Sequence, residues 1–167
     1  MWLDLKDVIE MPGAEASFEC ELDASALDFP SVRSFIVPPR AEGRAVNTAG
    51  VLSLQGVLEA EMQCVCDRCG GIFNMKKTME LDVPLEADME DEDDPDIFPI
   101  ENNGIDLDEV LSTCFILDMD TKFLCSPDCK GLCGTCGKNL NEGSCSCTKQ
   151  TDPRLAVLGQ LLDIDDK

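Results

Sequence analysis

The chain has 167 residues, 44% of them hydrophobic, with thirteen Lys and Arg against thirty-four Asp and Glu, a formal net charge of −21. That length allows one ordinary core plus a small appended module, and the acidity opposes non-specific attraction to nucleic acid or anionic membranes while favouring a basic protein partner. There is no His, which removes every histidine-based catalytic arrangement and leaves Cys or carboxylate as ligands for any metal.

The opening residues 1–7 lack a basic start, a long apolar run and a small-residue cleavage site, so they do not read as a secretory signal. No stretch approaches the roughly 20 apolar residues of a bilayer span. The expectation is a cytoplasmic protein with reduced thiols and no membrane or DNA partner. Phe18, Cys20 and Leu22 alternate with Ser17, Glu19 and Glu21 as in a half-buried strand, with Cys20 as a core thiol. Pro38 and Pro39 interrupt the run from Phe35 to Val37, and residues 47–50 spell a turn.

From Val51 the pattern sharpens. Leu52, Leu54, Leu58, Ala60 and Met62 share one parity, and after Cys66-x-x-Cys69 and two glycines Phe73, Met75, Met79, Leu81, Val83 and Leu85 do the same. This predicts a β-hairpin with paired thiols at its tip, where they can turn toward one ion. Residues 88–96 hold seven carboxylates and no base, which reads as a solvated linker. A calcium loop fits poorly there, because Pro95 falls where a ligand is needed and Asp96 where Gly is.

Asp106 is a candidate N-cap, with Glu109 at the third helical position, for a helix in which Leu107, Val110, Leu111, Cys114, Phe115 and Leu117 follow helical spacing. A second helix is expected from Asp152 and Pro153, with Leu155, Leu158, Leu161 and Leu162 on one side. The predicted class is α+β: an antiparallel, β-hairpin-rich body with a few short helices and a C-terminal Cys-rich zinc module. The body spans 1–121 with an acidic linker at 88–104, and the module with its C-terminal helix spans 122–167.

Cys125, Cys129, Cys133, Cys136, Cys145 and Cys147 fall within twenty-three residues that contain little apolar material beyond Leu132 and Leu140. Such a segment cannot hold itself by burial, and in a reducing compartment a thiophilic metal is the natural crosslink. With Cys66 and Cys69 there are eight clustered thiols, enough for two four-thiolate zinc sites. One divides off as Cys133, Cys136, Cys145 and Cys147; the other pairs Cys66 and Cys69 with Cys125 and Cys129. Ser126 and Pro127 resemble a cap and first helical residue, which would place Cys129 in a helix's first turn. An iron-sulfur cluster also uses four Cys and matches the spacing. A redox dithiol at Cys133 and Cys136 is a further reading, weakened by the missing strand-then-helix context.

The Cys66-x-x-Cys69 hairpin, the run from Cys129 through Cys133, Cys136 and Asn141, and the stretch from Asp152 to Leu158 resemble the YceD family from about Asn47 to the end. The resemblance implies a role in large-subunit ribosomal RNA accumulation and ribosome assembly, without a known catalytic activity. It also implies that some relatives keep the hairpin pair and lack the tail motif, which supports two separable sites. Residues 122–154 carry Lys122, Lys130, Lys138, Lys149 and Arg154 against Asp128, Glu142 and Asp152, a surplus that one four-thiolate zinc site with its net −2 would cancel. The preferred reading is therefore a non-enzymatic acidic adaptor for a basic ribosomal protein or assembly factor. Direct ribosomal RNA contact through the tail and thiol redox chemistry at Cys133 and Cys136 are the alternatives.

Overall fold

The alternation that begins at Val51 builds the centre of the fold. The computed structural model describes residues 1–86 and 97–147. The chain runs β1 (Trp2–Asp4), α1 (Lys6–Glu10), β2 (Glu15–Glu21), a 3-10 turn (Ala24–Ala26), β3 (Val32–Thr48), β4 (Val51–Val65), β5 (Ile72–Glu86), β6 (Phe98–Pro99), β7 (Gly104–Asp106) and α2 (Leu107–Asp118). Strands β2 to β6 form one sheet in sequence order, antiparallel except for the β5–β6 pair, and β1 pairs antiparallel with β7. The described residues are thus sheet-rich with two α-helices, an α+β arrangement.

The chain divides into two compact units, Met1–Asp67 with Gly71–Cys125, and Arg68–Gly70 with Ser126–Lys167. Among the described residues all the strands and helices lie in the first. Its core forms where the period-two faces of the sheet meet the helical stripe: Leu54, Leu58, Met62, Leu81 and Leu85 from the strands join Leu107, Val110, Leu111 and Phe115 from α2. Phe115 is fully buried and makes an edge-on contact with Phe29 at 6.0 Å between ring centroids. Asp106 caps α2, its carboxylate accepting from the Asp108 amide at 3.0 Å.

The predicted turn at 47–50 is a two-residue hairpin loop. Thr48 pairs with Val51, and Ala49 and Gly50 take positive φ values of 55° and 94°. Asn47 is the buried polar residue of this region. Its side chain accepts from the Gly50 amide at 2.9 Å and donates to the Val8 carbonyl at 2.7 Å, so the burial leaves no group unpaired.

Several expectations are corrected. The prolines do not end a strand: β3 continues through them, because Pro38 and Pro39 fall in a register shift between Val37↔Glu61 and Arg40↔Glu59, where no ladder N–H is demanded. Of the linker expected over 88–104, residues 98–104 contribute β6 and the start of β7, with Ile100 buried. Leu117 leaves the apolar stripe and is 69% exposed. It lines an open groove with Met79, Leu81 and Phe98, because β6 pairs with β5 only at Leu85 and Glu86. Ser126 and Pro127 open a turn, not a helix, with the Cys129 amide donating to the Ser126 carbonyl at 3.0 Å. The helix expected from Asp152 and the whole acidic run at 88–96 lie outside the described residues. Among the described residues no helix is long and apolar enough to cross a membrane.

Candidate metal centres

At the tip of the β4–β5 hairpin the inward parity of β4 runs on through Cys64 to Cys66, both buried. The Cys66 amide donates to the Gly71 carbonyl at 2.8 Å and closes the turn. Asp67 then fastens the tip to the chain that leads into Cys125. Its amide donates to the Phe123 carbonyl at 2.8 Å, and its carboxylate accepts from the Ser31 hydroxyl and the Phe123 amide, each at 2.6 Å. The Ser31 hydroxyl, and after it the Phe123 amide, hold the Asp67 carboxyl below its ordinary pKa. In this unit the Cys66 and Cys125 sulfurs come within 4.8 Å of each other.

In the second unit Arg68 organises the surroundings of Cys69 and Cys129. Its guanidinium donates to the Cys129 carbonyl at 2.9 Å and the Pro127 carbonyl at 3.3 Å, while its own carbonyl accepts from the Leu132 amide at 3.1 Å. Gly131 makes this approach possible: its φ is +72°, and a Cβ there would come within 2.9 Å of the Arg68 carbonyl oxygen. The Cys69 and Cys129 sulfurs also lie within 4.8 Å of each other.

The tail set is built on a small hairpin. The Leu140 amide donates to the Gly131 carbonyl at 2.9 Å, and the Cys133 amide donates to the Lys138 carbonyl at 2.8 Å. At the tip the Gly137 amide donates to the Cys133 carbonyl at 2.8 Å, with Gly137 at φ +72°. The Lys138 ammonium reaches the Ser144 carbonyl at 2.8 Å and draws in the loop that carries Cys145 and Cys147. Backbone amides of Cys136 and Thr135 point at the Cys133 sulfur and lower its pKa to about 6. Cys147 is pushed up to about 12, first by its hydrogen bond with Cys136. One thiol of the set therefore carries negative charge readily while another holds its proton, as expected where several thiols lie against one another.

Two groups of four thiols could each hold a metal ion: Cys66, Cys69, Cys125 and Cys129, and Cys133, Cys136, Cys145 and Cys147. In the second group, which lies wholly in one unit, the sulfurs lie within 4.8 Å of one another. Zinc–sulfur bonds of about 2.3 Å place tetrahedral sulfurs roughly 3.8 Å apart, so this donor set fits such an ion with small adjustments. Within each unit the structure brings together thiols that the spacing groups: Cys66 with Cys125 in the first, Cys69 with Cys129 and the four tail thiols in the second. Cys20, Cys64 and Cys114 instead pack with the core, and burial raises the pKa of each. Sequence reasoning missed Asp67, Arg68 and Asn141 as supports of these sets. A polar pair between the two knuckle thiols was the available signal for the first two.

Both thiol sets lie within residues 54–162, which match the family model described as large ribosomal RNA subunit accumulation protein YceD. The chain belongs to the YceD family. Similar curated YceD relatives are the chloroplastic large ribosomal RNA subunit accumulation protein YCED homolog 1 of Zea mays and its namesake in Arabidopsis thaliana. The maize protein is 30% identical over 141 residues, covering 65% of this chain and 48% of its own length. The Arabidopsis protein is 27% identical over 141 residues, covering 66% of this chain and 44% of its own length. The chain thus spans about half the length of the curated YceD relatives it matches. No solved structure matches it.

Proposed function

We propose that the chain is a non-enzymatic zinc-binding factor that promotes accumulation of the large ribosomal RNA subunit. In this reading it works in ribosome assembly, in the cytoplasm or another reducing compartment, as an acidic adaptor for a basic ribosomal protein or assembly factor. Membership of the YceD family carries the reading. The eight ligands are Cys66, Cys69, Cys125, Cys129, Cys133, Cys136, Cys145 and Cys147, and each zinc acts as a structural crosslink where apolar burial is scarce.

The distribution of charge supports a basic partner. The second unit has six bases and six acids, so the net charge of −21 belongs to the first. Glu42, Glu59, Glu80 and Asp82 are exposed along its strands, beyond the carboxylates of Glu15 and Glu19 that are paired with Arg44 and Arg40. Such a field speeds encounter with a cationic protein and selects its orientation.

Two alternatives each have an observation in their favour. Arg68, Lys130 and Lys138 outnumber Asp128 and Glu142 in the described part of the second unit, which favours direct ribosomal RNA contact through the tail. The low pKa of Cys133 favours thiol redox chemistry with Cys136, although the same amide contacts equally prepare a metal-bound thiolate.

Metal analysis of anaerobically purified protein should find close to two zinc ions per chain; iron with sulfide would replace zinc by a cluster. A pull-down from lysate, with and without ribonuclease, then separates the functional readings. A basic ribosomal protein retained after ribonuclease treatment supports the adaptor. Ribosomal RNA crosslinked to Lys130 or Lys138 overturns it in favour of RNA contact.

A further inference from the structure

The side chain of Asn141, which lies in sequence between two thiols of the tail set, reaches Cys129, a thiol of the other set. Its amide oxygen accepts from the Lys130 backbone N–H at 2.8 Å, which fixes the orientation of the group and leaves the NH2 facing the other way. One N–H of that NH2 meets the Asn139 side-chain oxygen at 2.9 Å, and the other meets the Cys129 sulfur at 3.3 Å. Asn141 belongs by sequence to the segment between Cys136 and Cys145, yet its donor serves a thiol of the other set. A hydrogen bond to a metal-bound sulfur favours the thiolate, holds its direction and moderates its charge.

We propose that Asn141 is a positioning residue through which loading of the Cys133, Cys136, Cys145 and Cys147 set strengthens metal binding by the Cys66, Cys69, Cys125 and Cys129 set. The inference rests on the metal reading above. Its physical basis is the hairpin. Residues 129–132 and 139–141 are its two arms, paired by the Leu132–Asn139 bridge and the Leu140 to Gly131 hydrogen bond, and Cys133 and Cys136 are its tip. Among the described residues 126–147 only Cys129 and Gly131 are buried. No apolar core holds the arms together, so a metal crosslink at the tip supplies the order that keeps Asn141 against Cys129. Linkage requires the reverse effect as well: loading the Cys129 set strengthens the tail set by the same factor.

The test uses the full chain loaded with zinc, challenged with graded chelator and pulsed with a thiol alkylating agent, with each cysteine's protection read by mass spectrometry. Asn141→Asp keeps the acceptor for Lys130 and removes the donor to Cys129. It should lower the chelator concentration that exposes Cys66, Cys69, Cys125 and Cys129 by about ten-fold or more. Cys145→Ser with Cys147→Ser should do the same, and adding Asn141→Asp to that pair should cause little further loss, because both changes remove one coupling.

In cobalt-loaded protein, Asn141→Asp should also move part of the sulfur-to-metal charge-transfer absorption to lower energy, a signature of a lost N–H···S bond that general loosening would not give. Asn141→Ala serves as a second variant, free of the added carboxylate. An unchanged midpoint for the Cys129 set in both Asn141 variants, or fully additive losses in the combined variant, would overturn the coupling. Equal alkylation with and without zinc in the unsubstituted chain would overturn the metal reading itself, and the coupling with it.

Discussion

Asp67 and Phe123 hold each other twice: the Asp67 amide donates to the Phe123 carbonyl at 2.8 Å, and the Phe123 amide donates back to the Asp67 carboxylate at 2.6 Å. One residue follows Cys66 and the other precedes Cys125 by two positions, so this exchange sets the spacing of two thiols that are far apart in sequence. Asp67→Ala should therefore lower metal affinity at that set about ten-fold while leaving the thiols themselves in place. Competition with a chromogenic chelator, read against Cys125→Ser, would measure it.

The same carboxylate gives a pH dependence with a definite sign. Its folded-state pKa is lowered, chiefly by the Ser31 hydroxyl and then by the Phe123 amide. Its contribution to stability is complete above the ordinary carboxylate pKa of 3.8 and is lost as pH falls through the lower folded value. Acid unfolding of the unsubstituted protein should accordingly steepen below that pH. Asp67→Asn should flatten this limb, and an unchanged acid limb would assign the sensitivity to other carboxylates.

Gly43 and Gly56 face each other across β3 and β4. A Cβ on Gly43 would come within 2.2 Å of the Gln55 carbonyl oxygen and 2.9 Å of the Phe18 ring, and one on Gly56 within 2.3 Å of the Glu42 carbonyl oxygen. The nearest obstacles are backbone atoms, so the strands themselves must part to admit a methyl group. Either Gly→Ala substitution should cost about 3 kcal/mol, near the top of the overpacking range. Phe115→Ala, which empties the aromatic contact with Phe29, should cost about 3–5 kcal/mol. Urea titration followed by circular dichroism checks both.

These sites show which parts of the molecule the sequence discloses. β4 and β5 are legible because each carries a long period-two apolar face, interrupted only at Gly56 and Lys77, and Gly70 and Gly71 mark the reversal between them. The thiol sets are legible because a metal knuckle is a local spacing of Cys and Gly. The pairing of Trp2–Asp4 with Gly104–Asp106 is not, since each strand is three residues long and its partner lies a hundred residues away. β3 is obscured by Pro38 and Pro39, whose tolerance depends on a bulge that only the neighbouring strand defines. The partners of Asp67, Arg68 and Asn141 are hidden for a similar reason: each acts on a backbone or sulfur atom brought near by folding, and beyond the position of Asp67 and Arg68 between two thiols the sequence gives no sign of it.

Metal loading at the tail should release protons in a pattern set by two thiols. Cys147, pushed up to about 12, carries a proton through the neutral range, whereas Cys133, at about 6, is already a thiolate at pH 7. Binding to four thiolates must displace the Cys147 proton, so affinity should rise with pH across the neutral range. Below about pH 6 the Cys133 proton joins it and the dependence should steepen by one further proton. Calorimetry of zinc binding to Cys66→Ser with Cys69→Ser, repeated in buffers of different ionisation enthalpy, counts the protons. A pH-independent affinity between pH 6 and 8 would contradict the assignment of Cys147 as a ligand.

Removal of metal should separate the two units by their sources of stability. The first unit buries Leu5, Leu54, Leu58, Met62, Leu107, Leu111 and Phe115 at 0% exposure, and this apolar area is independent of any ion. In the described part of the tail, residues 126–147, only Cys129 and Gly131 are buried, and the remaining order comes from turns and hydrogen bonds open to water. Chelation should therefore raise hydrogen exchange across 126–147 to near unfolded rates, including the Leu132, Cys133, Gly137 and Leu140 amides that are bonded in the folded tail. The amides of β4 and β5 away from the tip should keep most of their protection. Restoring zinc should restore the tail in a single cooperative step. Persistent protection of the Cys133 and Leu140 amides in metal-free, reduced protein would show that the tail folds without an ion, and would leave the thiols of this unit without a structural role.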